Sequence, residues 1–333
     1  MGDPVGVGPE IIVKVMADPE VYESCRPLVI GDRLALEKAR DLLGLELALR
    51  PVATPEAARY APCTIDLLAV SSLSPVDLDY GRPTPAGGAA MVSYILTGIN
   101  LALEGRVSGL VTAPISKQAM HLAGYRYPGH TELLAERTGA REVAMMLTGG
   151  GFRVVLATIH CSLAEVPARL STQQLLALFR LTCRSLREDF GIPAPTLGVA
   201  ALNPHAGEGG LFGREEIEII APAVRQAQDL GWGVYGPFPA DTLFWRHHQG
   251  EFDAIVCMYH DQGLIPLKLL HFMDAVNVTL GLPIIRTSVD HGTAYDLAGQ
   301  GRAHPGSLKA AILLAAQMAT RKLAQGHRPP STG

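Results

Sequence analysis

Short apolar runs, each too brief for a helix and seldom alternating with polar residues, recur along this 333-residue chain. "RPLVIG" (26–31), "TIDLLAV" (64–70), "SGLVTA" (108–113), "EVAMML" (142–147) and "FRVVLATI" (152–159) have this form, as do "PTLGVAAL" (195–202), "FDAIVCMY" (252–259), "AVNVTLG" (275–281) and "IIRTSV" (284–289). Continuous apolar runs suit strands covered on both faces, the usual condition of a parallel sheet. Helical patterns lie between them at 9–17, 33–43, 86–104, 131–138, 172–189, 214–230 and 306–323, and Gly263 opens a further helix carrying Lys268. Within 214–230, Ile217, Ile220, Ala221 and Val224 share one helical face. The alternation predicts an α/β fold with mostly parallel sheets. No internal repeat is visible, and the polar "GHRPPSTG" at 326–333 is expected to fray.

Composition narrows the function classes. With 48% hydrophobic and 18% charged residues, the chain can build a sizeable core. A formal net charge of −4 argues against a nucleic-acid protein, which would carry a basic face. The five cysteines have no C-x-x-C spacing and read as reduced thiols of a cytoplasmic protein. No signal peptide is evident, and the apolar stretch at 308–319 is too short for a bilayer, which needs about 20 residues. No membrane association is expected.

Three histidines occupy equivalent places. His160 follows "FRVVLATI", His205 follows "LGVAALNP" and His260 follows "AIVCMY". Ligands gather outside the carboxyl ends of parallel strands, so three strands can deliver three imidazoles to one edge. Each histidine alone reads first as hydrogen-bonded structure. Together they open the alternative of a catalytic metal site, in which three protein ligands leave one position for substrate. No H-E-x-x-H is present, and the H-x-E in "GHTE" lacks the P-C-x-x-C of a deaminase.

Other groups carry polar chemistry. "YPGHTELLAE" places His130 and Thr131 at a helix start, where Thr131 can cap the helix and the first amides can face an anion. "LNPHAGEGGLFG" surrounds His205 with glycines that permit close backbone approach. Arg286 stands inside an apolar strand, which calls for a ligand anion or for a carboxylate such as Asp290 or Asp296. Lys268 and Asn277 complete this set. "MGDPVGVGPE" and "SVDHGTAYDLAGQGRAHPG" are glycine-rich loops, but neither is G-x-G-x-x-G after a strand, so a Rossmann fold is not indicated.

"GDPVGVGPE", "VTAPISK", "YPGHTELLA", "LNPHAGEGG", "DTLF", "YHDQGLIPLK" and "VNVTLGLPIIRTSVDHGTAYDLAG" follow one another over nearly the full length. This pattern resembles the PdxA family, the 4-hydroxythreonine-4-phosphate dehydrogenases of vitamin B6 synthesis. "GDPVGVGPE" and "DHGTAYDLAG" also echo isopropylmalate and isocitrate dehydrogenases. The resemblance implies a two-lobed α/β/α sandwich of the isocitrate/isopropylmalate dehydrogenase type, residues 1–333 forming a single catalytic unit of interwoven lobes. It implies a homodimer with the active site at the subunit interface. His160, His205 and His260 match the family's metal ligands, the last coming from the other subunit. His130, Thr131, Lys268, Asn277 and Arg286 match its substrate-binding positions. NAD or NADP is expected on the two glycine-rich loops, at Gly6, Gly8, His291 and Gly292. Each active site is expected to take one divalent metal: zinc, cobalt or magnesium. Family members carry a short strand ahead of "GDP", whereas Met1 directly precedes Gly2 here, and a late-assigned start is the expectation.

The implied reaction oxidises 4-phosphooxy-L-threonine with NAD(P) and decarboxylates the product to 3-amino-2-oxopropyl phosphate. Asp241 or Lys268 can take the alcohol proton, and the sequence does not choose between them. A catabolic relative acting on 4-phospho-D-threonate or 4-phospho-D-erythronate would need the same groups. From another class, a metal-dependent sugar-phosphate hydrolase or aldolase would show no dependence on NAD.

Overall fold

The computed structural model describes residues 1–127 and 129–326. Residues 327–333 of the expected frayed tail lie outside the described residues. In chain order the strands are β1 (Val29–Asp32), β2 (Ala48–Pro51), β3 (Thr64–Ser71), β4 (Leu110–Thr112), β5 (Ala144–Gly149), β6 (Phe152–Leu156), β7 (Thr196–Ala200), β8 (Gly233–Phe238), β9 (Ala254–Cys257), β10 (Val276–Leu280) and β11 (Arg286–Val289). The helices are α1 (Gly8–Met16), α2 (Pro19–Ser24), α3 (Arg33–Leu43), α4 (Pro85–Leu103), α5 (Lys117–Leu122), α6 (His130–Thr138), α7 (Val166–Arg169), α8 (Thr172–Glu188), α9 (Ala221–Asp229), α10 (Ala240–His248), α11 (His260–His271) and α12 (Gly306–Ala324). All nine expected strands are present. β2 and β8 are additional.

The chain forms two compact units: residues 1–141 and 282 onward make the first, Glu142–Gly281 the second. In the first unit β1 and β2 both pair with β3 in parallel, and β4 pairs in parallel with β11. Its core gathers Ile11, Val13, Leu36, Ile65, Leu67 and Tyr94. Local signals fix the helices. Pro9 pre-sets the first turn of α1, and the Asp32 carboxylate accepts from Ala35 N–H to cap α3, which ends on a left-handed Gly44. Among the described helices α4 alone is long and apolar enough to cross a membrane, a length the sequence pattern did not flag. Its apolar surface is spent inside the unit, with Met91, Val92, Tyr94, Ile95 and Ile99 buried.

In the second unit the strand order is β10-β5-β6-β9-β7-β8. β5 runs antiparallel to both neighbours, while β6, β9, β7 and β8 are mutually parallel. Every residue of β9 is buried, so both of its faces are covered. Leu147, Val154, Leu156, Leu243, Ile255 and Leu267 are among the residues of its core. The mostly parallel expectation holds, with β5 the exception.

Candidate active site

β6, β9 and β7 are adjacent and parallel, so their carboxyl ends lie side by side. His160 follows β6, His260 opens α11 just after β9, and His205 follows β7. Side chains that the sequence reading passed over hold these ends in place. Thr158 Oγ1 donates to Met258 C=O at 2.7 Å, tying the β6 end to the β9 end. Gln262 Nε2 donates to Ala201 C=O at 2.7 Å, and its Oε1 accepts from Met258 N–H at 2.7 Å, tying the β9 end to the β7 end. Both side chains are buried, where a broken hydrogen bond costs about 1–3 kcal/mol.

The His160 and His260 ring centroids lie 6.0 Å apart. Both rings line a pocket of about 580 Å³ shared with Cys161, Glu165, Tyr259 and Asp261. His260 Nδ1 lies 2.7 Å from Asp261 Oδ1. A carboxylate only accepts, so Nδ1 carries the hydrogen and Nε2 keeps its lone pair for a ligand. Imidazole nitrogens suit a divalent metal, so the donor type present here fits one. No group of three His, Cys, Asp or Glu converges on one point among the described residues of a single chain.

His205 sits in an unusual backbone. His205, Ala206, Gly207, Glu208 and Gly209 all have positive φ, from 45° to 80°. Left-handed backbone costs a non-glycine residue roughly 1–2 kcal/mol, and three of these five are not glycine. The turn persists because its entry is clamped. Buried Glu216 accepts from Leu202 N–H (2.8 Å) and Asn203 N–H (2.7 Å) through Oε1, and from Asn203 Nδ2 (3.0 Å) through Oε2. A Cβ at Gly207 would stand 2.6 Å from Glu216 Oε2, so that position must be glycine. His205 itself is exposed, its Nδ1 3.4 Å from Glu208 Oε2.

Other expected residues divide between the units. In the second, Lys268 lies on α11 and Asn277 on β10, both half-buried. Asn277 Oδ1 is buried without a hydrogen-bond partner among the described residues. Asp241 is exposed in the first turn of α10. In the first unit, buried Arg286 opens β11 and donates from Nη2 to Thr112 Oγ1 at 2.8 Å. Burial pulls its guanidinium down to about 9, so the cation gains from any anion brought to it. His130 Nε2 is buried without a hydrogen-bond partner among the described residues. Burial first, then the Arg286 charge, then the chain's amino terminus hold His130 well below its usual value. Thr131 does not cap α6: the cap position is Gly129 and Thr131 lies inside the first turn, because the helix begins one residue earlier than its pattern indicates.

The two glycine-rich loops of the first unit are knitted together. Val7 N–H donates to Thr293 C=O at 3.0 Å, Tyr295 Oη to Asp3 Oδ2, and Gly299 N–H to Glu10 Oε1. Gly6 and Gly8 are buried, and a Cβ there would press on Thr293 and on Met1 C=O respectively. Their glycine requirement thus comes from the chain's own packing. Gly292 faces open space and His291 is exposed beside it, so the backbone of one and the ring of the other are accessible.

Imidazoles at the carboxyl ends of parallel strands in one unit, and a buried cationic group with two glycine-rich loops in the other, are features found in enzymes that act on small anionic molecules. The chain is 55% identical over 320 residues to the 4-hydroxythreonine-4-phosphate dehydrogenase of Desulforapulum autotrophicum, covering 96% of this chain and 94% of that one. It is 45% identical over 323 residues to the D-threonate 4-phosphate dehydrogenase of Cupriavidus necator, covering 97% and 96%. The crystal structure of 4-hydroxythreonine-4-phosphate dehydrogenase from Klebsiella pneumoniae superimposes with a TM-score of 0.87 at 44% identity, covering 96% of each chain. The class is therefore that of a mixed α/β oxidoreductase. Residues 23–315 match the family model described as pyridoxal phosphate biosynthetic protein PdxA, and the chain belongs to that family.

Proposed function

We propose that this enzyme oxidises the secondary alcohol of 4-phosphooxy-L-threonine with NAD or NADP and that the product loses CO₂ to give 3-amino-2-oxopropyl phosphate, a step of pyridoxal phosphate synthesis. The observation that carries the reading is the delivery of three histidine-bearing segments to one edge by β6, β9 and β7 in a chain so close to named dehydrogenases.

His130, Thr131, Arg286 and the first amides of α6 hold the substrate phosphate. Neutral His130 can donate one ring hydrogen to a phosphate oxygen, while Arg286 supplies charge. Lys268 and Asn277 orient the amino-acid portion. His160, His205 and His260 would hold a divalent cation, whose positive charge would acidify the alcohol and stabilise negative charge on its oxygen. Asp241 or Lys268 would accept the hydroxyl proton, and NAD or NADP, when bound, would take the carbon-bound hydrogen as hydride. The resulting β-keto acid breaks its bond to the carboxylate. CO₂ departs, the bond's electrons pass to the ketone as an enolate, and protonation completes the product. His291 and Gly292 contact the nucleotide, with Gly6 and Gly8 shaping the loop behind them.

A second copy of the chain completes the metal set. Support comes from α11, the helix that His260 opens: Ile265, Leu269, Leu270, Phe272 and Met273 are 67%, 84%, 47%, 72% and 53% exposed. Such a contiguous apolar face suits burial against a symmetric partner. We place the enzyme in the cytoplasm.

The likeness to the D-threonate 4-phosphate dehydrogenase supports a second substrate, since phosphate, alcohol and carboxylate are common to both molecules. Following NADH absorbance with each phosphorylated substrate separates the two. A preference of at least about tenfold in kcat/KM for 4-phosphooxy-L-threonine is expected. Preference for the D-threonate ester reassigns the substrate, and turnover without NAD or NADP rejects the oxidoreductase chemistry altogether.

A further inference from the structure

We propose that Glu216 is the positioning residue for His205. This inference rests on the reading of His205 as a metal ligand, and it extends that reading to a group that touches neither metal nor substrate. Glu216 lies 11 residues beyond His205, in the π-helical turn Glu216–Ile220 that runs into α9. It is 3% exposed. A buried carboxylate is retained where its hydrogen bonds are needed, and here its two oxygens accept from Leu202 and Asn203 at the entry of the His205 turn. Oε1 takes the consecutive amides of Leu202 and Asn203, the residues that carry the chain out of β7. Oε2 takes the Asn203 side chain and lies against Gly207 within the turn. Glu215 pulls on the same amide, accepting from Asn203 Nδ2 at 2.7 Å.

The consequence is geometric. A left-handed turn with non-glycine residues is stable only if its surroundings over-determine it. Remove the Glu216 carboxylate and Leu202, Asn203 and the following residues can relax toward ordinary backbone, carrying the His205 ring out of register with the other imidazoles. Glu216 therefore governs metal affinity through His205 and through no other ligand.

The test uses the full-length metal-free protein titrated with cobalt(II), read by the visible absorption of the bound ion. Glu216→Ala is expected to weaken cobalt binding at least about tenfold, the scale of losing an outer-shell support. Glu216→Gln, which keeps an acceptor for the two amides but opposes the Asn203 side-chain NH₂ with its own, falls between wild type and alanine. In a His205→Ala background, Glu216→Ala adds no further loss. In a His160→Ala background it adds its full loss. An Ala variant that binds cobalt as tightly as wild type while His205→Ala binds weakly overturns the proposal. So does a Glu216→Ala loss of equal size in the His205→Ala and His160→Ala backgrounds, which would mark a merely structural residue. If Glu216→Ala does not fold, the same comparisons are made with Glu216→Gln. If His205→Ala leaves cobalt affinity unchanged, the ligand assignment itself fails, a result distinct from either of the others.

Discussion

The two units handle their polar chemistry in opposite ways. In the first, Arg286 is 2% exposed and His130 Nε2 is sealed from solvent, so the proposed anion-binding group is desolvated inside one chain. In the second, the His205 and His260 side chains are 68% and 37% exposed, and no three ligands meet among the described residues. A buried cation holds an anion tightly because water does not compete for it. An open imidazole is cheap to keep neutral and accessible, but it gains strength only when a metal and a second set of ligands arrive. In the function proposed above, the anion-binding group is complete within one unit, whereas the metal group needs a second copy of the chain.

That contrast is sharpest where the open group is cut. His205→Ala removes one of the proposed ligands from an exposed turn, so the fold should survive while turnover falls at least about a thousandfold, several kcal/mol of charge stabilisation. NADH production together with metal analysis of the purified variant checks this, and full activity with normal metal content defeats it. The assembly half of the comparison has its own test. If His260 is donated across the dimer, then inactive His205→Ala and inactive His260→Ala chains, mixed and reassembled, form hybrid dimers with one intact site. A random mixture should regain about a quarter of wild-type activity, because half of the dimers are hybrids and each has one good site of two. A mixture as inactive as its components shows that His260 serves its own subunit.

Cutting the finished group should cost less. Arg286→Ala removes charge-assisted hydrogen bonds worth about 1.5–3 kcal/mol, a loss of roughly 10- to 150-fold in kcat/KM carried mainly by KM for the phosphorylated substrate. Initial-rate kinetics read this directly. A change confined to kcat would place Arg286 with the reacting alcohol instead of the phosphate.

Much of this contrast was legible in the sequence, and the illegible part has a physical cause. The nine short apolar runs announced themselves because strands covered on both faces can be read from their continuous apolar pattern. β2, "ALRP", and β8, "GVYGPF", did not: each closes the strand order of its sheet, has partly exposed residues, and carries proline or glycine that reads as turn. α11 starts at His260 and not at Gly263, with Gly263 and Pro266 both inside, since burial of Gln262, Leu264 and Leu267 overrides their poor helix propensity. The histidines were visible as residues following strands. The groups that aim them were not. Thr158, Gln262 and Glu216 act through hydrogen bonds to residues 100, 61 and 13 or 14 positions away, and no local pattern encodes such pairs. The positive φ at His205, Ala206 and Glu208 was likewise hidden, although the glycines around them hinted at it.

The smallest expected effect concerns a histidine of the second unit that takes no part in the open group. His247 is 5% exposed; its Nε2 accepts from Arg153 N–H at 2.9 Å and its Nδ1 lies 2.8 Å from Phe252 C=O. An Nε2 that accepts cannot carry a proton, and burial, the largest cause, holds the ring below the ordinary 6.5. Above that value both folded and unfolded chains are neutral here and pH has no leverage at this residue. Below it the unfolded chain takes up a proton that the folded chain refuses. Stability should then fall with pH by up to about 1.4 kcal/mol per unit, until the folded ring also titrates. His130 contributes with the same sign from the first unit, which makes the residue-specific part the thing to isolate. Denaturant unfolding of the full chain between pH 7.5 and about 5 should show a shallower loss in His247→Gln than in wild type, even though the variant starts less stable. Equal slopes would mean that the imidazole is protonated in the folded chain after all, and that the Arg153 amide has another acceptor.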